Sequence, residues 1–237
     1  MKKTTKIMIS LIACAAVMQA ATAEADQAYL ELRSLSTNLE DGQMAAFTDA
    51  NSAHGVGLAL GYELALDDDI PVTDGVRLLA NFGFDGVSGE PYSGDVSSRW
   101  ERQRLMASTD VGIDAFGDRV RPLVRLGAGY SRQSLSMTAD DTEYRDIDRG
   151  FVGEAGGGLE VMFLKGDPEG PNRSDSLSLG GNLMMGYIFQ PSSHFDQMER
   201  RGENSQDFQH ATYDAGTLDT SGLTVSIGFV GSYQFGW

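Results

Sequence analysis

Apolar and polar residues alternate with a period of two along most of the chain. Val56, Leu58, Leu60, Tyr62 and Leu64 interleave with Gly55, Gly57, Ala59, Gly61 and Glu63. Val76, Leu78, Ala80, Phe82 and Phe84 alternate with Arg77, Leu79, Asn81 and Gly83. Similar runs set Leu105, Ala107, Thr109 and Val111 against Met106, Ser108 and Asp110, and Val124, Leu126, Ala128 and Tyr130 against Arg125, Gly127 and Gly129. Phe151 to Phe163, Leu177 to Phe189 and Leu223 to Trp237 repeat the pattern, and Leu30 and Leu32 against Glu31 and Arg33 give a weaker first instance. Such alternation is the signature of strands with one apolar and one polar face. It predicts eight strands, beginning near residues 27, 53, 75, 99, 121, 149, 177 and 221.

The connections alternate in length. Long ones fall near 40–52, 85–98, 135–148 and 190–221, and generally shorter ones near 66–74, 116–120 and 164–176. An even number of strands, each of about 9 residues or more, with long loops at one end and short turns at the other, is the pattern of an outer-membrane barrel. The expected fold is therefore all-β: an eight-stranded antiparallel transmembrane β-barrel with long extracellular loops and short periplasmic turns.

A soluble, lipocalin-like barrel would turn the apolar face inward. Two features oppose it. The parity rich in Gly, Ser and Asn suits an eight-stranded interior, which is just wide enough to be filled by side chains. The apolar parity also carries Tyr62, Phe82, Phe84, Tyr130, Phe151, Phe163, Tyr187, Phe189, Tyr233, Phe235 and Trp237, the aromatics expected where a lipid-facing band meets water.

Composition adds export. Lys2, Lys3 and Lys6 precede the apolar run Ile7 to Val17, and Ala21-Thr22-Ala23 offers a small-x-small cleavage site. Residues 1–23 are expected to be a signal peptide and residues 24–237 the barrel. The rival reading takes Leu11-Ile12-Ala13-Cys14 as a lipobox with a lipidated Cys14. Cleavage after Ala23 leaves no cysteine, hence no disulfide or thiolate metal site, and 15 basic against 34 acidic residues, a net charge of 15 − 34 = −19. So acidic a chain is a poor nucleic-acid binder.

The end of the chain is more specific. Tyr233-x-Phe235-x-Trp237 looks like the sorting signal read by the machinery that assembles bacterial outer-membrane barrels. With the signal peptide and the strand count, residues 27–237 resemble the OmpA/OmpX-type small barrels. The resemblance is one of architecture, with Trp237 where Phe is usual. It implies assembly by that machinery and residence in the outer membrane of a Gram-negative bacterium. No periplasmic peptidoglycan-binding domain is expected.

The inward parity carries charge: Glu31, Arg33, Glu63, Arg77, Asp110, Asp114, Arg125, Glu154 and Glu160. Charges in a narrow lumen must pair. Arg77 and Arg125 are the expected centres, with Glu63, Asp110 and Glu154 as partners. The bland reading is a plug of ion pairs; the sharper one is a gated path for water or small ions. Arg99, Arg102, Arg104, Arg132 and Arg149, with Arg145, are expected at the outer rim, as lipopolysaccharide-phosphate contacts or as a solvated rim balanced by Glu101, Asp146 and Asp148.

Other chemistry is thin. Asp140, Asp141, Glu143, Asp146 and Asp148 fit no EF-hand spacing and read as a solvated acidic loop. Small lipid A deacylases and palmitoyltransferases use a histidine with serine and a carboxylate. Here His54, with Ser52 on its face, and His194 and His210 in the longest loop show none of those families' motifs. The expectation is a non-enzyme with no catalytic residue, cofactor or metal, acting as a structural or surface-interaction barrel. The alternative is a narrow pore. Loops 135–148 and 190–221 are the places for an extracellular ligand. Phe195, Met198, Phe208 and Tyr213 are expected either to contact a partner or to fold back over the barrel mouth.

Overall fold

A computed structural model describes residues 27–39, 51–64, 75–89, 96–112, 119–139, 142–166, 177–195, 198–201 and 215–234. The elements are β1 (Gln27–Leu39), β2 (Ser52–Leu64), β3 (Gly75–Gly89), β4 (Val96–Gly112), β5 (Val120–Ala139), β6 (Thr142–Leu164) and β7 (Leu177–Phe189), then three short strands, β8 (Ser193–Phe195), β9 (Glu199–Arg201) and β10 (Gly216–Leu218), and finally β11 (Gly222–Gln234).

Strands β1 to β7 and β11 form a closed antiparallel ring. The last strand closes it by pairing with the first along the whole of β1, from Gln27 opposite Gln234 to Leu39 opposite Gly222. Closure pairs both edges of every strand over the stretch that all eight strands share, the condition for burying a sheet in lipid. The strands are sheared. Following directly opposed residues once around from Arg121 runs through Glu160, Asn182, Gly228, Arg33, Gly57, Gly83 and Arg104 and returns to β5 at Ser131, which is 131 − 121 = 10 residues further along.

The expected faces are the observed ones. Leu32, Val56, Leu60, Phe82, Leu126, Tyr130, Phe151, Phe163, Met185, Ile227 and Phe229 point outward and are exposed. So much apolar surface on a closed ring has no place in water. Inward positions are buried. Among them Tyr29, Ala59, Leu79 and Val230 form one small apolar cluster and Met106, Val152 and Ile188 another. The middle of the lumen is filled by buried side chains, as an eight-strand ring allows.

The loops differ more. The connection expected at 135–148 is mostly strand: β5 runs to Ala139 and β6 begins at Thr142, in unbroken register. The connection at 85–98 is likewise shortened by β3 and β4, which pair as far as Gly89 opposite Ser98. Alternation weakens where a ribbon rises above the lipid, because neither face is then apolar, so pattern alone ends the strand too early. The wall from β3 to β6 therefore stands taller than the rest.

The long connection 190–221 also contains structure. Strand β9 adds to the raised part of β6, and β8 pairs with β10. Phe195, Met198 and Leu218 are fully buried against Leu39, Trp100 and Leu135. The fold-back reading of Phe195 and Met198 is the observed one. Phe208 and Tyr213 lie outside the described residues.

Candidate functional site

The lumen is the first candidate. Glu63 on β2, Arg77 on β3, Asp110 on β4 and Arg125 on β5 occupy one cross-strand row, so negative and positive side chains alternate on four adjacent strands. Arg77 donates from Nε to Glu63 at 2.7 Å and from both terminal nitrogens to Glu160, at 2.5 and 2.8 Å. Arg121 also pairs with Glu63. The Tyr29 hydroxyl donates to Glu160 at 3.2 Å, and the Arg77 guanidinium lies 4.3 Å from the Tyr29 ring centroid. Next to this group Arg125 grips Asp110 with two bonds of 2.7 Å and donates to Glu31 at 2.8 Å. Asn182 satisfies the other Glu31 oxygen at 2.8 Å.

A third polar group lies nearer the outer end. Arg102 holds Asp85 through bonds of 3.1 and 2.5 Å and donates to the Thr220 carbonyl at 2.8 Å, while Thr37 donates to Asp85 at 3.3 Å. Above it the Trp100 indole donates to Gln133 at 2.9 Å, and Gln133 bonds Ser193 of β8. The apolar group around Trp100, Leu135, Phe195, Met198 and Leu218 then fills the mouth. At the opposite end a cavity of about 340 Å³ is lined by Glu63, Arg77, Arg119, Arg121, Glu160 and Lys165, among others.

These positions revise two expectations. Glu154 faces inward but is only half-buried, and among the described residues it makes no hydrogen bond to Arg77 or Arg125. Register is the reason: Arg77 and Arg125 each have a carboxylate directly opposite, and Glu160 and Glu31 reach them across the lumen. Second, Arg102 and Arg104 are not rim residues. They are 0% and 3% exposed, because even-numbered β4 residues face inward and the strand begins before Arg99. Asp114 lies outside the described residues.

Of the expected arginines, Arg99, Arg132 and Arg149 lie on the outward rim. Arg99 is exposed and paired with Glu101. Arg132 and Arg149 sit directly opposite each other on β5 and β6, one outward step above the Tyr130–Phe151 pair. Neither has an ion-pair partner among the described residues. Like charges in this arrangement repel.

The histidines do not converge. His54 lies on the outer wall opposite Ser36 and Gly86. His194 is on β8, where its backbone N–H donates to Asp148 at 3.2 Å. His210 lies outside the described residues, as do Asp140, Asp141, Phe235 and Trp237. Tyr233 is half-buried and opposes Ala28 and Leu177. Among the described residues no group of three or more His, Cys, Asp or Glu is placed to hold a metal ion.

With a closed ring and an apolar outer belt established, sequence comparison supplies the family. The model of the outer membrane protein beta-barrel domain matches residues 7–166. The chain belongs to this outer-membrane family. Membership places the ring in the outer membrane, with its exposed leucines and phenylalanines against lipid. Solved structures similar to it include Neisserial surface protein A, NspA (12% identity, TM-score 0.42, covering 88% of this chain and 97% of that one). Ail, the attachment invasion locus protein of Yersinia pestis, is 11% identical with a TM-score of 0.44, over 89% and 99% of the two chains. The N-terminal β-barrel domain of Pseudomonas aeruginosa OprF is 12% identical with a TM-score of 0.38, over 88% and 98%. No curated protein sequence matches the chain.

Proposed function

We propose that this outer-membrane barrel is a non-enzymatic scaffold that presents raised strand ribbons outside the cell and seats them against lipopolysaccharide phosphate. The observation that carries the reading is the stoppered lumen. Three ion-pair groups span it, and Trp100, Leu135, Phe195, Met198 and Leu218 close its outer mouth. A pore needs a continuous wet path, and a hydrolase needs a base oriented toward a nucleophile; neither arrangement fits these side chains. What such a barrel can offer is its outer rim and the β3–β6 wall.

Arg132 and Arg149 supply the lipid contact. They lie one outward step beyond the Tyr130–Phe151 pair, the side of an interfacial aromatic girdle on which headgroups are expected, and guanidinium groups bind phosphate bidentately. In planar bilayers the purified protein should give no steady conductance. The double variant Arg132→Gln/Arg149→Gln should co-purify with several-fold less lipopolysaccharide than the wild type. Steady conductance would refute the scaffold reading, and undiminished lipopolysaccharide would refute the rim contact. Export through residues 1–23 belongs to the same reading; the mature chain should begin at Glu24, and a lipidated Cys14 would replace it with an anchored barrel.

A further inference from the structure

We infer that the middle of the lumen holds a binding site for a small inorganic anion, formed by Arg33 and Arg104 over a floor of two glycines. Arg33 on β1, Gly57 on β2, Gly83 on β3 and Arg104 on β4 share one cross-strand row. A Cβ at Gly57 would lie 2.8 Å from Arg33 Nε, and a Cβ at Gly83 would lie 3.3 Å from an Arg104 terminal nitrogen. Arg33 therefore lies over Gly57 and Arg104 over Gly83. The two glycines are directly opposed, and opposed Cα atoms are about 5 Å apart. The two guanidinium groups are thus neighbours on the same patch of inner wall.

Both are almost fully buried, at 6% and 3% exposure. Both are also short of acceptors. Arg33 Nε and Arg104 Nε and Nη2 have no hydrogen-bond partner among the described residues. The nearest carboxylates stand off, Glu31 at 3.8 Å from Arg33 and Asp85 at 3.7 Å from Arg104. They are engaged elsewhere: Glu31 by Arg125 and Asn182, Asp85 by Arg102 and Thr37. Asn81 reaches Arg33 only at 3.5 Å.

Contrast the other lumen arginines. Arg77, Arg102 and Arg125 each make at least two hydrogen bonds to carboxylates. Buried donors without acceptors and adjacent like charges are both unfavourable in a low-dielectric interior. A water molecule would relieve the first, whereas an anion relieves both. The absent side chains of Gly57 and Gly83 let the two guanidinium groups lie side by side against the inner wall. With ion pairs on either side and the apolar stopper beyond the outer one, the anion would be captured as the barrel closes.

Bromide is the probe. In crystals grown with bromide as the sole halide, an anomalous peak between Arg33 and Arg104 is expected. In solution, urea unfolding in detergent should be measured at fixed ionic strength with chloride replacing the bulky isethionate ion. Above saturation the unfolding equilibrium constant should fall about tenfold for each tenfold rise in chloride, by mass action. Arg104→Met should abolish this dependence. If that variant fails to fold, Gly57→Ala, which pushes on Arg33 and keeps both charges, should weaken it. No anomalous peak, chloride-independent unfolding of the wild type, or a dependence that survives both substitutions would each overturn the site.

Discussion

Replacing Arg125 by Met tests the reading of the lumen as a set of obligatory ion pairs. The guanidinium is fully buried, as are Glu31 and Asp110, at 0% and 1% exposure. Arg125 supplies three hydrogen bonds to them, at 2.7, 2.7 and 2.8 Å. Methionine fills much of the same volume and supplies none. Glu31 keeps Asn182 and the more distant Arg33, so Asp110 is the more severely stranded carboxylate. Removing one partner of a buried pair costs about 3–5 kcal/mol, because the other charge stays out of water without compensation. Arg125→Met should therefore lower unfolding stability by about that much. Adding Asp110→Asn should recover about 1–3 kcal/mol, the usual coupling between groups in contact. The assay is a urea titration in detergent micelles, with the folded fraction read as the compact band of unboiled samples on a gel. Arg99→Gln is the control. Arg99 is 64% exposed and paired with Glu101 at the rim, so a change of less than about 0.5 kcal/mol is expected. A loss below about 1 kcal/mol for Arg125→Met would refute the argument, since it would mean water reaches the carboxylates and replaces the arginine.

Outer-membrane fractions should show a detergent-resistant band that shifts on boiling, as a closed ring requires; a band that never shifts would contradict the barrel. At the β6–β7 seam Gly156 and Gly186 are directly opposed, and a Cβ on Gly156 would lie 2.7 Å from the Met185 carbonyl oxygen. Gly156→Val should therefore block assembly and remove the compact band, while a fully folded variant would show that the seam can widen. Phe195→Ala removes a fully buried ring from the mouth, a change that costs about 3–5 kcal/mol in a packed core. The loss should fall on the stopper alone. Amide exchange should accelerate at Gly216–Leu218 and leave β1 and β11 protected; uniform acceleration would refute that division. Lipopolysaccharide retention by the Arg132/Arg149 pair remains the readout for the rim.

Two properties were legible in the chain because they are local. Alternation with a period of two assigns each residue of a strand to one of two faces. The outward set from Leu32 to Phe229 and the inward set around Arg77 and Arg125 therefore follow from sequence alone. The count of eight and the closure of the last strand onto the first follow from the same pattern and the spacing of its interruptions. The arginines at 102 and 104 show where position along the chain misleads: it puts both at the rim, although their parity opposes that of Leu105. Alternation also ended too soon at Leu135 and near Arg149, where β5 and β6 rise above the lipid and no apolar face remains to mark them.

What the tertiary structure decided depends on register. A shear of 10 residues around the ring fixes which inward charges meet. It sets Glu63, Arg77, Asp110 and Arg125 in one row, sends Glu160 and Glu31 across the lumen to them, and leaves Glu154 out of both groups. It also brings Arg33 next to Arg104 across two glycines, although 71 positions (104 − 33) separate them in the chain. No local pattern encodes those meetings. Each strand lists its own inward residues, but the heights at which the lists align are set by pairing along the whole ring, and a shift by two residues would keep every face and exchange every partner.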